Sequence, residues 1–293
     1  MTGILIVNKP AQWTSHDVVA KVRGLLREKR IGHLGTLDPL ATGVLPLAVG
    51  SATRLIEFAS YPKEYVATCL LGRSTDSFDI TGKVLAEKSL GDLSTDRARG
   101  EVLKLRAITE QVPPMVSAVK SGGKKLYELA RKGIEVERKA RPIQIGKVEV
   151  LKVELPRVTF RVACSAGTYV RALCQTLGET LGVGGCMESL ERTQVGPFGL
   201  GEALTLEDVK KKAEAGDLSG MLLPAARLVE QLPEVQLPEK DIRDICQGKK
   251  IWYSAIAAGM VRVLNPQGQL CAIAEVSEGR LSPRKVFGAE GLN

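Results

Sequence analysis

Residues 31–43, Ile-Gly-His-Leu-Gly-Thr-Leu-Asp-Pro-Leu-Ala-Thr-Gly, constrain this chain more than any other stretch. Gly32, Gly35 and Gly43 loosen the backbone, while Pro39 fixes φ and removes an amide donor, so neither a continuous helix nor a central strand is expected here. The stretch reads as a shaped loop. Within it Asp38 directly precedes the proline, which biases its backbone toward extended geometry and lets the carboxylate project from the turn. His33 lies five positions earlier. On local chemistry alone, an Asp-Pro turn beside a surface histidine accounts for the pair.

The flanks say how the loop is held. An apolar run over residues 3–8 ends at Lys9-Pro10, which suits a strand running into a turn. Thr14, with Asp17 three residues on, has a capping-box pattern, and Val18, Val19, Val22, Leu25 and Leu26 follow at helical spacing. After the loop, residues 44–49 are apolar, Ser51 is placed to cap a short helix through Phe58, and residues 63–71 read as a strand. Residues 72–82 form a polar, turn-rich link. Helical spacing over residues 93–108 has Ser94 or Thr95 as cap. Residues 145–153 and 158–164 alternate as a strand pair around Pro156. Tyr169 to Leu177 then opens a helix that Gly182 stops. Thr205, with Asp208, caps another helix, and residues 223–238 are proline-punctuated, as a linker would be. Residues 259–287 alternate short β-like runs with Asn-Pro-Gln-Gly and Ser-Glu-Gly turns.

A length of 293 residues suits one large domain and one small one. No apolar run approaches the ~20 residues needed to span a bilayer, so a cytoplasmic protein without membrane contact is expected. The six cysteines are scattered, with only two histidines to assist, so reduced and mostly buried thiols are expected and a metal site is not. The net charge of +8 points to a polyanionic partner. It is unevenly spread: residues 229–293 hold eight basic and eight acidic side chains, leaving 33 basic against 25 acidic in residues 1–228. The densest cluster, residues 113–142, carries Lys120, Lys124, Lys125, Arg131, Lys132, Arg138, Lys139 and Arg141 against three glutamates, around a Gly122-Gly123 pivot. Such a segment is either a solvated basic face or a grip on phosphates.

Residues 32–46, from Gly-His-Leu-Gly-Thr-Leu-Asp-Pro to Val-Leu-Pro, resemble the catalytic loop of the bacterial tRNA pseudouridine-55 synthases, the TruB family. An irregular match of this length is more specific than a lone glycine motif. Further stretches resemble the same family: Thr75-Asp76-Ser77-Phe78-Asp79-Ile80-Thr81-Gly82, Gly167-Thr168-Tyr169-Val170-Arg171, and Ser189-Leu190-Glu191-Arg192-Thr193. The last departs from the usual Leu-Arg-Arg-Thr at Glu191, which removes a positive charge and puts an RNA contact there in doubt. Residues 113–133 are similar to the family's RNA-gripping insertion, and residues 259–287 to a PUA domain. The resemblance implies an α+β fold: a mixed, largely antiparallel central sheet flanked by helices, with a small C-terminal β-barrel (PUA-like) domain. It divides the chain into a catalytic domain, 1–228, with the insertion at 113–142, and an RNA-binding domain, 229–293.

The resemblance also implies a reaction and a site. A uridine in the T-loop of tRNA, position 55, would be flipped out and isomerised to pseudouridine, without cofactor or metal. Asp38 would be the nucleophile and Arg171 would hold it ionised. Tyr65 would stack on the base, Tyr169 would position it or assist loss of the C5 proton, and Leu190 would wall off water. His33 would fill the space left in the RNA loop. Lys9 is either a helper or a structural support, and Asp79 either positions Arg171 or the RNA, or caps its turn. Lys124 and Lys125 would grip RNA. The implied partner is the T-arm of tRNA, with no obligate protein partner and a monomeric chain. Two alternatives stand beside this reading: a tRNA-binding folding factor in which catalysis is secondary, and a synthase directed to ribosomal sites by guide RNA.

Overall fold

The computed structural model describes residues 1–117, 120–126, 129, 133–134, 136–218, 220–253 and 257–292, with the side chains of Lys120, Ser121, Lys124 and Lys125 outside that description. Its larger sheet runs, edge to edge, through strands Gly3–Lys9, Thr42–Val49, Gly185–Val195, Lys63–Leu71, Arg157–Cys164 and Ile145–Glu154. Short strands Ile31–His33 and Phe198–Gly199 pair onto Thr42–Val49 and Gly185–Val195. All pairings are antiparallel except that of Thr42–Val49 with Gly185–Val195. This is the mixed, largely antiparallel α+β sheet expected.

The local chemistry explains the elements. Strand Lys63–Leu71 alternates in burial, turning Tyr65, Ala67, Cys69 and Leu71 inward, as the two-residue period of a strand requires. The helix Ser15–Leu26 has the full capping box, with Thr14 and Asp17 each satisfying the other's backbone amide. It buries Val18, Val19, Val22 and Leu26 against the sheet, each fully buried aliphatic chain contributing roughly 1.5–3 kcal/mol. The helix Val170–Leu181 packs on the same face and ends at Gly182, whose φ of 80° provides a left-handed cap. All six cysteines are unpaired, and five are buried.

Residues 31–33, placed in the loop on glycine content, form a three-residue strand, so the loop proper spans residues 34–41. An edge pairing this short tolerates Gly32, which packs against Ile56. The segment after Val49 is a 3-10 helix, Gly50–Phe58, without a side-chain cap from Ser51, because Gly50 makes the turn itself at φ +64°. Part of the link at 72–82 pairs as strand, Arg73–Thr75 with the exposed strand Val84–Glu87.

A second, five-stranded sheet curls into a half-barrel in the order Glu234–Gln236, Gly259–Leu264, Leu270–Ser277, Arg280–Val286 and Ile251–Trp252. The helix Glu239–Cys246, not anticipated from sequence, closes it with Ile242 and Ile245. Nor are residues 223–238 a free tether. Leu223 exchanges two backbone bonds with Ile4, and Ala225, Leu228 and Val229 share one apolar cluster with Leu264, Leu270 and Ile273. Pro224 and Pro238 stand at the N-terminal ends of the helices Ala225–Val229 and Glu239–Cys246, while the apolar residues of the segment fill the seam between the sheets. Among the described residues no helix is long and apolar enough to cross a membrane.

Candidate active site

The loop 34–41 is fixed from several sides, mostly through its main chain. Ser15, at the start of the first helix, accepts from the Leu37 amide at 2.8 Å and donates to the Leu37 carbonyl at 3.3 Å. Lys9 is fully buried, and its ammonium donates to the carbonyls of Trp13 at 2.6 Å, Pro10 at 2.9 Å and Pro39 at 3.3 Å. Burial pushes its pKa down to about 8, with nearby Asp38 opposing that fall. Structural support, one of the two readings of Lys9, is therefore visible in its contacts.

Arg192 holds the other flank. Its guanidinium, 0% exposed, donates to the carbonyls of Val44 at 2.7 Å, Gly35 at 3.1 Å and Thr36 at 3.5 Å. Gly43 lies so close to the Arg192 backbone that a Cβ there would sit 2.3 Å from the Arg192 carbonyl oxygen. Strand alternation puts Leu190 and Arg192 on one face, whereas Glu191, half-exposed, points to the other. The departure at Glu191 therefore leaves the pocket face unchanged.

Asp38 stands at the end of this scaffold, its side chain 33% exposed. Arg171, 3% exposed, approaches it with two nitrogens: Nε lies 2.8 Å from Oδ2, and Nη2 donates to Oδ1 at 3.2 Å. One hydrogen bond and one close charge contact thus hold the carboxylate to the guanidinium. The rest of the guanidinium is occupied as well, donating to the carbonyls of Ser77 at 3.0 Å and Val116 at 2.9 Å, with Asp79 Oδ2 at 3.7 Å. Asp79 bonds within its own turn and faces Arg171. Its Oδ1 accepts from Ser77 Oγ, Thr81 N and Thr81 Oγ1, while Oδ2 faces Arg171. Burial raises the Asp38 carboxyl above its ordinary value, Arg171 opposes that rise, and Asp79 adds to it.

These groups open onto a cavity of about 230 Å³ lined by Asp38, Tyr65, Tyr169, Arg171 and Leu190, with Gly35, Lys63 and Ser117 among the remaining walls. Tyr65 enters from its strand, 7% exposed, and burial raises its phenol pKa while Arg192 opposes the shift. Tyr169 caps the helix Val170–Leu181, and Gln111 grips its main chain by a bond at each end, of 2.8 and 3.0 Å. His33 is half-buried at the end of its strand and outside the cavity lining, with its own pKa lowered by burial. Lys124 and Lys125 form a short strand in the insertion, but their side chains lie outside the described residues.

Sequence reasoning thus named five residues that meet in one cavity and missed Arg192, Lys63, Ser15 and Gln111. The period-2 pairing of Leu190 with Arg192 was the one available signal for the arginine. Chemically, the cavity offers one carboxylate held by a cation, two phenols and an apolar wall.

The whole fold matches that of the Cbf5 chain in the crystal structure of a Cbf5-Nop10-Gar1 complex, with a TM-score of 0.77 and 26% identity over 98% of this chain and 86% of that one. It also matches the archaeal box H/ACA sRNP Nop10-Cbf5 complex, with a TM-score of 0.75 and 25% identity over 98% of this chain and 87% of that one. Residues 23–170 match the model of the TruB family pseudouridylate synthase N-terminal domain. Residues 171–230 match the tRNA pseudouridylate synthase B C-terminal domain, and residues 233–287 the pseudouridine synthase II TruB C-terminal model. The fold is that of the pseudouridine synthase class. Two curated relatives, each called tRNA pseudouridine synthase B, narrow this further. That of Syntrophomonas wolfei is 43% identical over 98% of this chain and 99% of its own, and that of Heliobacterium mobile 43% over 98% and 95%. The chain belongs to the TruB family of pseudouridylate synthases.

Proposed function

We propose that this chain isomerises a tRNA uridine, position 55 of the T-loop, to pseudouridine, with Asp38 as nucleophile acting on a flipped-out nucleotide. The observation that carries the reading is the Arg171–Asp38 contact at 2.8 Å in the wall of a base-sized cavity lined by Tyr65, Tyr169 and Leu190. The N1–C1′ bond breaks and its electron pair stays with the uracil ring. Asp38 takes C1′, as glycosidase carboxylates do. The ring turns, C5 bonds to C1′ and Asp38 is released. C5 loses a proton and N1 gains one, so the product is an isomer and water is not consumed.

In this scheme Arg171 keeps Asp38 ionised against the desolvation that raises its pKa. Tyr65 stacks on the base, Tyr169 positions it, Leu190 excludes water, and His33 fills the gap left in the RNA. Flipping costs a few kcal/mol, supplied by contacts of residues 113–142 with phosphates. Residues 1–228 act as the catalytic domain and 229–293 as an RNA-binding domain whose balanced charge suits contact by shape more than by field.

The test is tritium release from a tRNA transcript labelled at uridine C5. The native chain should release one equivalent per tRNA, and Asp38→Asn none while still binding the transcript. Binding by both chains with release by neither would replace this reading with that of an RNA-folding factor.

A further inference from the structure

The mechanism moves a negative charge. Before cleavage it rests on Asp38, beside Arg171. Once Asp38 has taken C1′, that carboxylate is an ester and the charge is on the uracil ring, spread over N1, O2 and O4. Arg171 remains anchored to Asp38, Ser77 and Val116. Lys9 and Arg192 are fully buried, donate to backbone carbonyls and do not line the cavity.

The geometry points to Lys63 as a further catalytic residue, whose ammonium donates a hydrogen bond to the anionic uracil ring between cleavage of its N1 bond and formation of its C5 bond. Lys63 lines the cavity and opens the strand Lys63–Leu71, two residues before Tyr65 and on the same face. A residue there reaches the edge of a ring stacked on Tyr65. Among the described residues its ammonium donates to one acceptor, the Tyr61 carbonyl at 3.3 Å, and no carboxylate is within ion-pair distance. Two of its three N–H donors therefore remain for a ligand. It also lies over Gly35: a Cβ on that glycine would be 3.1 Å from Lys63 Cε and 3.7 Å from Nζ, so a side chain at residue 35 would push the ammonium away. Burial lowers the Lys63 pKa, with the Arg192 charge adding to the fall, as befits a cation short of counter-charge until an anion enters. A donor preorganised in a water-poor site, aimed where charge develops, is worth on the order of 10²–10³ in rate.

The role rests on the pseudouridine synthase reading, and one experiment separates the two. Single-turnover tritium release at saturating enzyme and Kd for the same transcript are measured for the native chain, Lys63→Met and Lys63→Gln. Lys63→Met should slow release about 100-fold with Kd within about threefold of native, the retained binding also reporting a folded chain. Lys63→Gln, which keeps a neutral donor, should fall between. Release at the native rate by either variant overturns the role of Lys63 and leaves the reaction intact. So does a raised Kd with an unchanged rate at saturation, which would place the ammonium on a phosphate. No release by the native chain refutes the reading, and the role falls with it.

Discussion

Arg171→Met probes the site where stability and catalysis meet. Met keeps most of the length of the side chain but leaves Asp38 without its cation and the carbonyls of Ser77 and Val116 without their donor. Breaking a buried ion pair by removing one partner costs about 3–5 kcal/mol. Arg171 is 3% exposed but Asp38 is 33% exposed, so water softens the loss and about 3 kcal/mol is expected. At about 2 °C per kcal/mol for a chain of this size, the thermal midpoint should fall by roughly 6 °C. The loss should also depend on pH. Asp38 already sits above its unfolded value of 3.8 through burial, and removing Arg171 takes away the largest opposing influence while Asp79 remains. A carboxyl raised in the folded state stabilises the fold below its unfolded pKa and loses that contribution as pH climbs through the folded value. The variant should therefore lose more at pH 8 than at pH 5, measured against native by urea unfolding followed by circular dichroism. Adding Asp38→Asn should recover part of the pH 8 loss, as coupled neighbours do. A loss below about 1 kcal/mol at pH 8, or equal losses at both pH values, would refute this account of the pair.

Two further substitutions test how the loop is built. Gly43→Ala puts a methyl 2.3 Å from the Arg192 carbonyl at a φ of +100°, so backbone must move against backbone and a loss above about 3 kcal/mol is expected; a melting temperature within 2 °C of native, or about that, would count against the close approach. Thr14→Ala removes the cap of the helix Ser15–Leu26 and should lower stability by about 1 kcal/mol in urea, while tritium release, read in parallel, stays near native because Ser15 keeps its bonds to Leu37.

Much of the fold was legible where the cause is local. Thr14 with Asp17 announced a capping box, residues 63–71 read as a strand, and Gly182 announced a helix end. Local signals failed where a partner elsewhere supplied the reason: Gly32 is strand because Thr42–Val49 is there to pair with it, and residues 223–238 are seam because two sheets leave a gap for them.

The same division runs through the site. The sequence by itself determined the family resemblance and so the reaction to expect: locally the loop reads as an Asp-Pro turn, and it is the match of residues 32–46, with the tyrosine and arginine motifs elsewhere, that points to a pseudouridylate synthase. Only the tertiary structure decided that Asp38 and Arg171, 133 residues apart, touch. It alone also decided that Lys9, Arg192, Ser15 and Gln111 hold the loop and the helix start in place. Those four act on main-chain carbonyls and amides, which every residue carries alike, so their partners leave no mark in the sequence and become definite only when the chain is folded.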